Sequence, residues 1–317
     1  MEVVNLILPV FAVVVTGYLF ARLGILPESV GGILIQFVYY VAIPALLFVV
    51  IAQEKIDSLL NWPFIAAYGG VVVVVFLIIL FGSILSRKMA LASATMLATI
   101  CVGSNTAIIG LPLLHSLFGH KIVVLSAITN IIVVALFLVQ VLILEASGPN
   151  DSESAGSKLA HIKNAVLNPI ILSVILGVAY AITPLSLPKL VTDYLELLGA
   201  ALTPCALFAI GMSIKPAEVL KSGATIVFAS TVKLLVVPIL VFAAARMIGL
   251  DPLMTIVAVV AAAVPTAKSE FILAKQYHQS EDLVAGTISL TTAISIISLI
   301  VWLVVLSYVY PGEFSFR

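Results

Sequence analysis

Ten apolar runs, each about 20 residues or longer, follow one another along nearly the whole chain. Each is long enough to cross a hydrocarbon core of about 30 Å as an α-helix. They end near residues 4–23, 28–52, 61–86, 90–118, 121–146, 163–183, 189–213, 217–248, 252–277 and 281–309. Period-2 alternation is absent, and the runs exceed the roughly ten residues of a barrel strand. Composition agrees: 62% of the 317 residues are hydrophobic and 9% charged, where a soluble domain has about 25% charged residues. An all-α membrane protein with ten transmembrane helices is expected, with the lipid bilayer as its surroundings. Fifteen basic residues balance fifteen acidic ones, so no nucleic-acid partner is implied. The first run follows only MEVV and has neither a basic leader nor a cleavage site, so it reads as a mature span.

The one long polar stretch, EASGPNDSESAGSKLAHIKN at 145–164, divides the runs into two sets of five. An offset of 160 sets like residues against each other: Pro9 and Pro169, Gly17 and Gly177, Pro44 and Pro204, Thr95 and Thr255, Thr106 and Thr266, Ala107 and Ala267. Residues 1–146 and 163–317 therefore read as two five-helix repeats, joined by a loop at 147–162. Five is odd, so the second repeat enters the membrane inverted, which is the plan of many secondary transporters. Lys and Arg favour placing both termini outside. Arg22, Arg87, Lys88, Lys158, Lys163, Lys215, Lys221 and Lys275 then lie inside, against Lys55, Lys121, Lys189, Arg246 and Arg317 outside. That arrangement puts the 147–162 loop in the cytoplasm of a multi-pass protein of the cell inner (plasma) membrane.

Helix-breaking chemistry recurs at matched places in the fourth and ninth runs. GSNTAIIG contains Gly103, Ser104 and Asn105, and AVPTAKSE contains Pro265, a residue that removes an amide donor and clashes with the preceding turn. The offset sets Asn105 against Pro265. Backbone groups freed at membrane depth need protein or a water-filled cavity to satisfy them, so the two breaks predict a cavity. The half-helices beyond the breaks start near Thr106 and Thr266, whose hydroxyls can cap exposed amides. Two helix N-termini converging there favour an anion such as a carboxylate. Ser104, Asn105, Thr106, Pro265, Thr266, Lys268 and Ser269 are the candidate substrate-binding residues.

Two roles are open for Lys268: contact with substrate charge, or a structural pair with Glu270. Glu270, Lys268 and Lys233 are the candidates for proton or ion coupling, because ionisable groups at this depth are functional candidates. Thr129, Asn130 and Gln140 in the fifth run, and Thr291, Thr292 and Ser295 in the tenth, either line the same cavity or bond helix to helix. His115, His120, His161 and His278 fall at helix ends or loops, where solvated or capping roles are expected. Cys101 and Cys205 are single thiols, and no metal-ligand spacing, cofactor motif or catalytic motif is present. The reading is therefore of a protein that is not an enzyme and needs no cofactor.

LPVFAVVVTGYLFARLGILPESVGGILIQFVYYVAIPALLF (8–48), SNTAIIGLPLLHSLFG (104–119) and VPTAKSEFILAKQY (264–277) together resemble the auxin efflux carrier family. That family spans plant auxin exporters and bacterial carriers of malate, malonate and related acids. The most specific part is the pattern at Asn105, Thr106, Gly110, Leu111, Pro112 and Leu113. The resemblance implies an inverted-repeat fold with the first, second, sixth and seventh helices as scaffold and homodimer surface. The other six then form a moving transport domain, with the fourth and ninth helices broken and crossing. The chain departs from the family pattern at Ser104, where relatives often carry proline, and at Lys268, Ser269 and Glu270. The function implied is elevator-type transport of a small organic anion, driven by membrane potential or protons. The alternative is a sodium-coupled anion symporter of the bile-acid-symporter type.

Overall fold

A computed structural model describes residues 2–27, 29–53, 60–87, 89–147, 169–212 and 223–314. Among these residues there is no strand, and every apolar run read from the sequence carries helix. Helix α1 is Glu2–Arg22, α2 Ser29–Ile51, α3 Trp62–Ser86, α4 Leu91–Val102, α5 Leu111–Phe118 and α6 Val123–Ser147. The second half supplies α7 Pro169–Ala181, α8 Lys189–Met212, α9 Ala224–Ile248, α10 Pro252–Ala263, α11 Ser269–Gln276 and α12 Glu281–Val309. Apart from Ser147, the loop expected at 147–162 lies outside the described residues. So do His161 and the inner-side residues Lys88, Lys158, Lys163, Lys215 and Lys221.

Six helical stretches are long and apolar enough to cross a membrane among the described residues, one of them the interrupted Leu91–Leu144 stretch. Phe11–Arg22, Pro169–Ala181 and Pro252–Ala263 are apolar but shorter. Large apolar side chains such as Ile78, Phe81, Leu85, Leu197, Ile297 and Val301 point outward, as helices solvated by lipid tails require.

The helices associate in two groups. In the first, α1 lies along the second half of α8, and α2 packs on α7 and α8. Glycine makes these crossings possible. A Cβ built at Gly17 would stand 2.0 Å from the Phe208 carbonyl oxygen, and one at Gly211 would stand 1.9 Å from that of Val14. Backbone therefore touches backbone, the close approach that small residues permit between membrane helices. Gly177 and Gly199 seat against the side chains of Ile51 and Leu46 of α2, less closely.

In the second group α3 packs on α4, α9 on α10 and α12, and α6 on α4 and α10. Its centre is α10, where Ile256 to Val264 are all at most 1% exposed. A helix apolar on every face belongs in the interior. Both α4 and α10 have 12 residues, a length of about 18 Å. Each therefore stops well short of a bilayer's thickness, and the site lies where they stop.

Candidate functional site

Helix α4 ends at Val102, and Gly103, Ser104 and Asn105 then run without helix into a π-turn at Thr106–Gly110 that leads to α5. Helix α10 ends at Ala263, and Val264 to Ala267 run without helix toward α11. The two interruptions meet: the Asn105 amide donates to the Pro265 carbonyl at 2.9 Å. A proline leaves its neighbourhood short of a donor, and here the other broken segment brings one to its carbonyl. One backbone hydrogen bond thus joins the two breaks. The register differs from the sequence reading. Ends Val102 and Ala263 lie one residue further apart than the 160 offset, so alignment by helices sets Ser104, and not Asn105, against Pro265.

The threonines act differently from the caps expected of them. Thr106 Oγ1 donates to Asn130 Oδ1 at 3.0 Å, and Asn130 Nδ2 donates onward to the Ser126 carbonyl at 2.8 Å. Thr266 Oγ1 donates to the Ile100 carbonyl at 3.0 Å, while the Thr266 amide donates to Thr291 Oγ1 at 3.3 Å. Both hydroxyls tie the breaks to neighbouring helices, and α11 starts three residues later than expected, at Ser269. Asn130 and Thr291, which the sequence left open between cavity lining and helix bonding, bond helix to break.

Lys233 is the cation at the centre. It is fully buried in a π-turn at Val232–Val236 of α9, and the Leu234 carbonyl in that turn accepts from Trp302 Nε1 at 3.2 Å. π-Turns in otherwise regular helices often mark functional positions. Its ammonium donates to Ser104 Oγ and to the Ala262 carbonyl, each at 2.6 Å. Ser104 Oγ in turn donates to the Val102 carbonyl at 3.2 Å. The charge thus rests at the C-terminal ends of α4 and α10, where unsatisfied carbonyls carry partial negative charge and favour a cation. The fully buried Tyr68 hydroxyl stands beside Ser104 but outside hydrogen-bonding geometry.

Glu270, 2% exposed, occupies the first turn of α11, the end of a helix that favours an anion. Its Oε1 lies in the space above Gly103, where a Cβ would come within 2.7 Å of it, and its Oε2 has no hydrogen-bond partner. Lys233 and Glu270 both reach the end of α4, the first at Ser104 and the second at Gly103. Lys268, by contrast, is exposed, Ser269 and Asn105 are partly exposed, and Ser104, Thr106, Pro265 and Thr266 are buried. Protein groups from both breaks and from α9 meet at the junction. Its accessible residues are Asn105, Lys268 and Ser269.

Of the histidines, His115 differs from expectation. His115 of α5 is half-buried, with Nδ1 3.4 Å from Thr203 Oγ1 of α8 and its ring edge-on to His120 at 5.1 Å. His278 is 89% exposed at its side chain, as a loop position predicts.

The model of the family described as "Membrane transport protein" matches residues 2–303. A protein of Rhizobium meliloti named "Putative malonate transporter" is 30% identical over 297 residues, 93% of this chain and 93% of that one. An uncharacterized transporter of Methanocaldococcus jannaschii is 25% identical over 307 residues, 94% of this chain and 97% of its own length. Another, of Methanothermobacter thermautotrophicus, is 26% identical over 310 residues, covering 95% and 97%.

Proposed function

This chain belongs to the membrane transport protein family, and from that premise we propose that it carries a small organic anion, a carboxylate such as malonate or malate, across the cell inner membrane by secondary transport. The observation that carries the reading is the meeting of two half-length helices at the Asn105–Pro265 hydrogen bond, with a buried cation and a buried carboxylate at the junction. Such junctions of discontinuous helices suit alternating access, because small shifts of either half re-aim the exposed backbone groups. Asn105, Lys268 and Ser269 are the accessible residues beside the crossover, and they supply an amide, an ammonium and a hydroxyl suited to a carboxylate.

In this reading the second helix group moves as an elevator against the first, which serves as scaffold and homodimer surface. The backbone-to-backbone crossing of α1 and α8 supports a rigid scaffold. The ten crossings form two inverted repeats with both termini outside. The test is uptake into proteoliposomes of malonate, malate, an aromatic acid and a monocarboxylate, with and without sodium or a proton gradient. Saturable carboxylate flux is expected, and no flux of any acid above protein-free liposomes would overturn the proposal. Loss of a charge-assisted contact in Lys268→Ala is expected to raise the KM for the anion about 10-fold or more, with the melting temperature unchanged. An unchanged KM removes Lys268 from the site.

A further inference from the structure

A fully buried lysine is rare unless its charge is matched, and the groups that match Lys233 come from three elements. The Ala262 carbonyl belongs to the last turn of α10, Ser104 Oγ follows the end of α4 and leans on the Val102 carbonyl, and Glu270 opens α11. The first two accept from the ammonium, and Glu270 Oε1 lies beside Gly103, one residue before Ser104. Two of the contributing helices direct their negative ends at the ammonium, and the Glu270 Oε2 has a lone-pair valence with no donor to it. A hydroxyl, helix-terminal carbonyls and a carboxylate are the donor set that a hard monovalent cation takes up. Here the positive charge arrives on a side chain instead.

We propose that Lys233 is a tethered cation: its ammonium fills a monovalent-cation position at the helix crossover, with Ser104 Oγ and the Ala262 carbonyl as acceptors and Glu270 as counter-charge. This inference rests on the transporter reading. It implies that the crossover is held together without an alkali ion, so sodium is not the coupling partner of this chain. It also implies that cutting away the side chain leaves a site that a small free cation enters.

The experiment compares the wild type, Lys233→Ala and Lys233→Met, purified in detergent, in choline, sodium, potassium and methylammonium chlorides at equal ionic strength. Melting temperature is read first. The wild type is expected to melt alike in all four salts. Lys233→Ala is expected to melt lower in choline and to rise by about 2 °C or more in at least one small cation, which binds only the folded state. Lys233→Met, which fills the space with an uncharged chain, is expected to show no such rise. In proteoliposomes the carboxylate flux of Lys233→Ala is expected to be at least about 10-fold higher in the rescuing cation than in choline.

A wild type stabilised or driven by sodium relative to choline would overturn the proposal. So would a folded Lys233→Ala indifferent to every small cation, or one that folds in none of the four salts, since the vacated position then accepts no substitute. The melting arm needs no substrate. Absence of carboxylate flux in the wild type therefore counts against the transport reading and leaves the cation-site result legible.

Discussion

Gly103 and Glu270 show how little room the crossover leaves. An added Cβ at Gly103 would lie 2.7 Å from Glu270 Oε1 and 2.9 Å from the Thr99 carbonyl oxygen, and the latter is backbone that cannot give way. Gly103→Ala is therefore expected to cost about 1–3 kcal/mol of stability. Gly82→Ala, in an exposed helical position with no atom within 4 Å, is expected to be neutral or slightly stabilising. Thermal melts of the two variants check this, and equal melting temperatures would remove Gly103 from the argument. The charges make a second prediction. Lys233→Met or Glu270→Gln alone strands the other charge and is expected to cost about 3–5 kcal/mol, while the double variant costs clearly less than the sum. Strictly additive losses would mean that the two charges do not sense each other. Pro265, Ser104, Asn105 and Lys268 were legible in the sequence because each is out of place in an apolar run. That Lys233 and Glu270 share the junction was not legible. Lys233 comes from another helix, distant in sequence, and reaches the junction from its π-turn.

At the scale of elements, two short buried helices and two close crossings do most to position the site. The breaks that limit α4 and α10 to 12 residues were visible as Gly-Ser-Asn and Pro. The use of the freed groups was not, because the bonds from Thr106 to Asn130 and from Thr266 to Ile100 span helices that sequence spacing cannot relate. The contact of α1 with α8 is expected to tolerate nothing larger than glycine. Gly17→Val and Gly211→Val should abolish the monodisperse peak on size-exclusion chromatography in detergent, and Gly32→Ala, with nothing within 4 Å, should leave it intact. A monodisperse Gly17→Val protein would show that α1 can retreat from α8 without penalty.

Across the whole molecule, the proposed movement of one helix group past the other makes a contact between the groups the place to test it. His115 of α5 meets Thr203 of α8 at 3.4 Å. A protein carrying His115→Cys and Thr203→Cys, with Cys101 and Cys205 replaced by alanine, is expected to lose carboxylate flux when bridged by a short bifunctional thiol reagent. Its melting temperature is expected to hold. Full flux in the bridged protein would sink the elevator reading. By itself the sequence determined the all-helical membrane class, the family and the location of both breaks. Those follow from run length, hydropathy and helix-breaking residue types, which act over a few turns of chain. Only the tertiary structure decided that the breaks bond to each other, that Lys233 supplies the buried cation, and that Glu270 seats over Gly103. Helix ends 161 residues apart in sequence become neighbours only through packing, and the dipoles that place a charge depend on which ends meet.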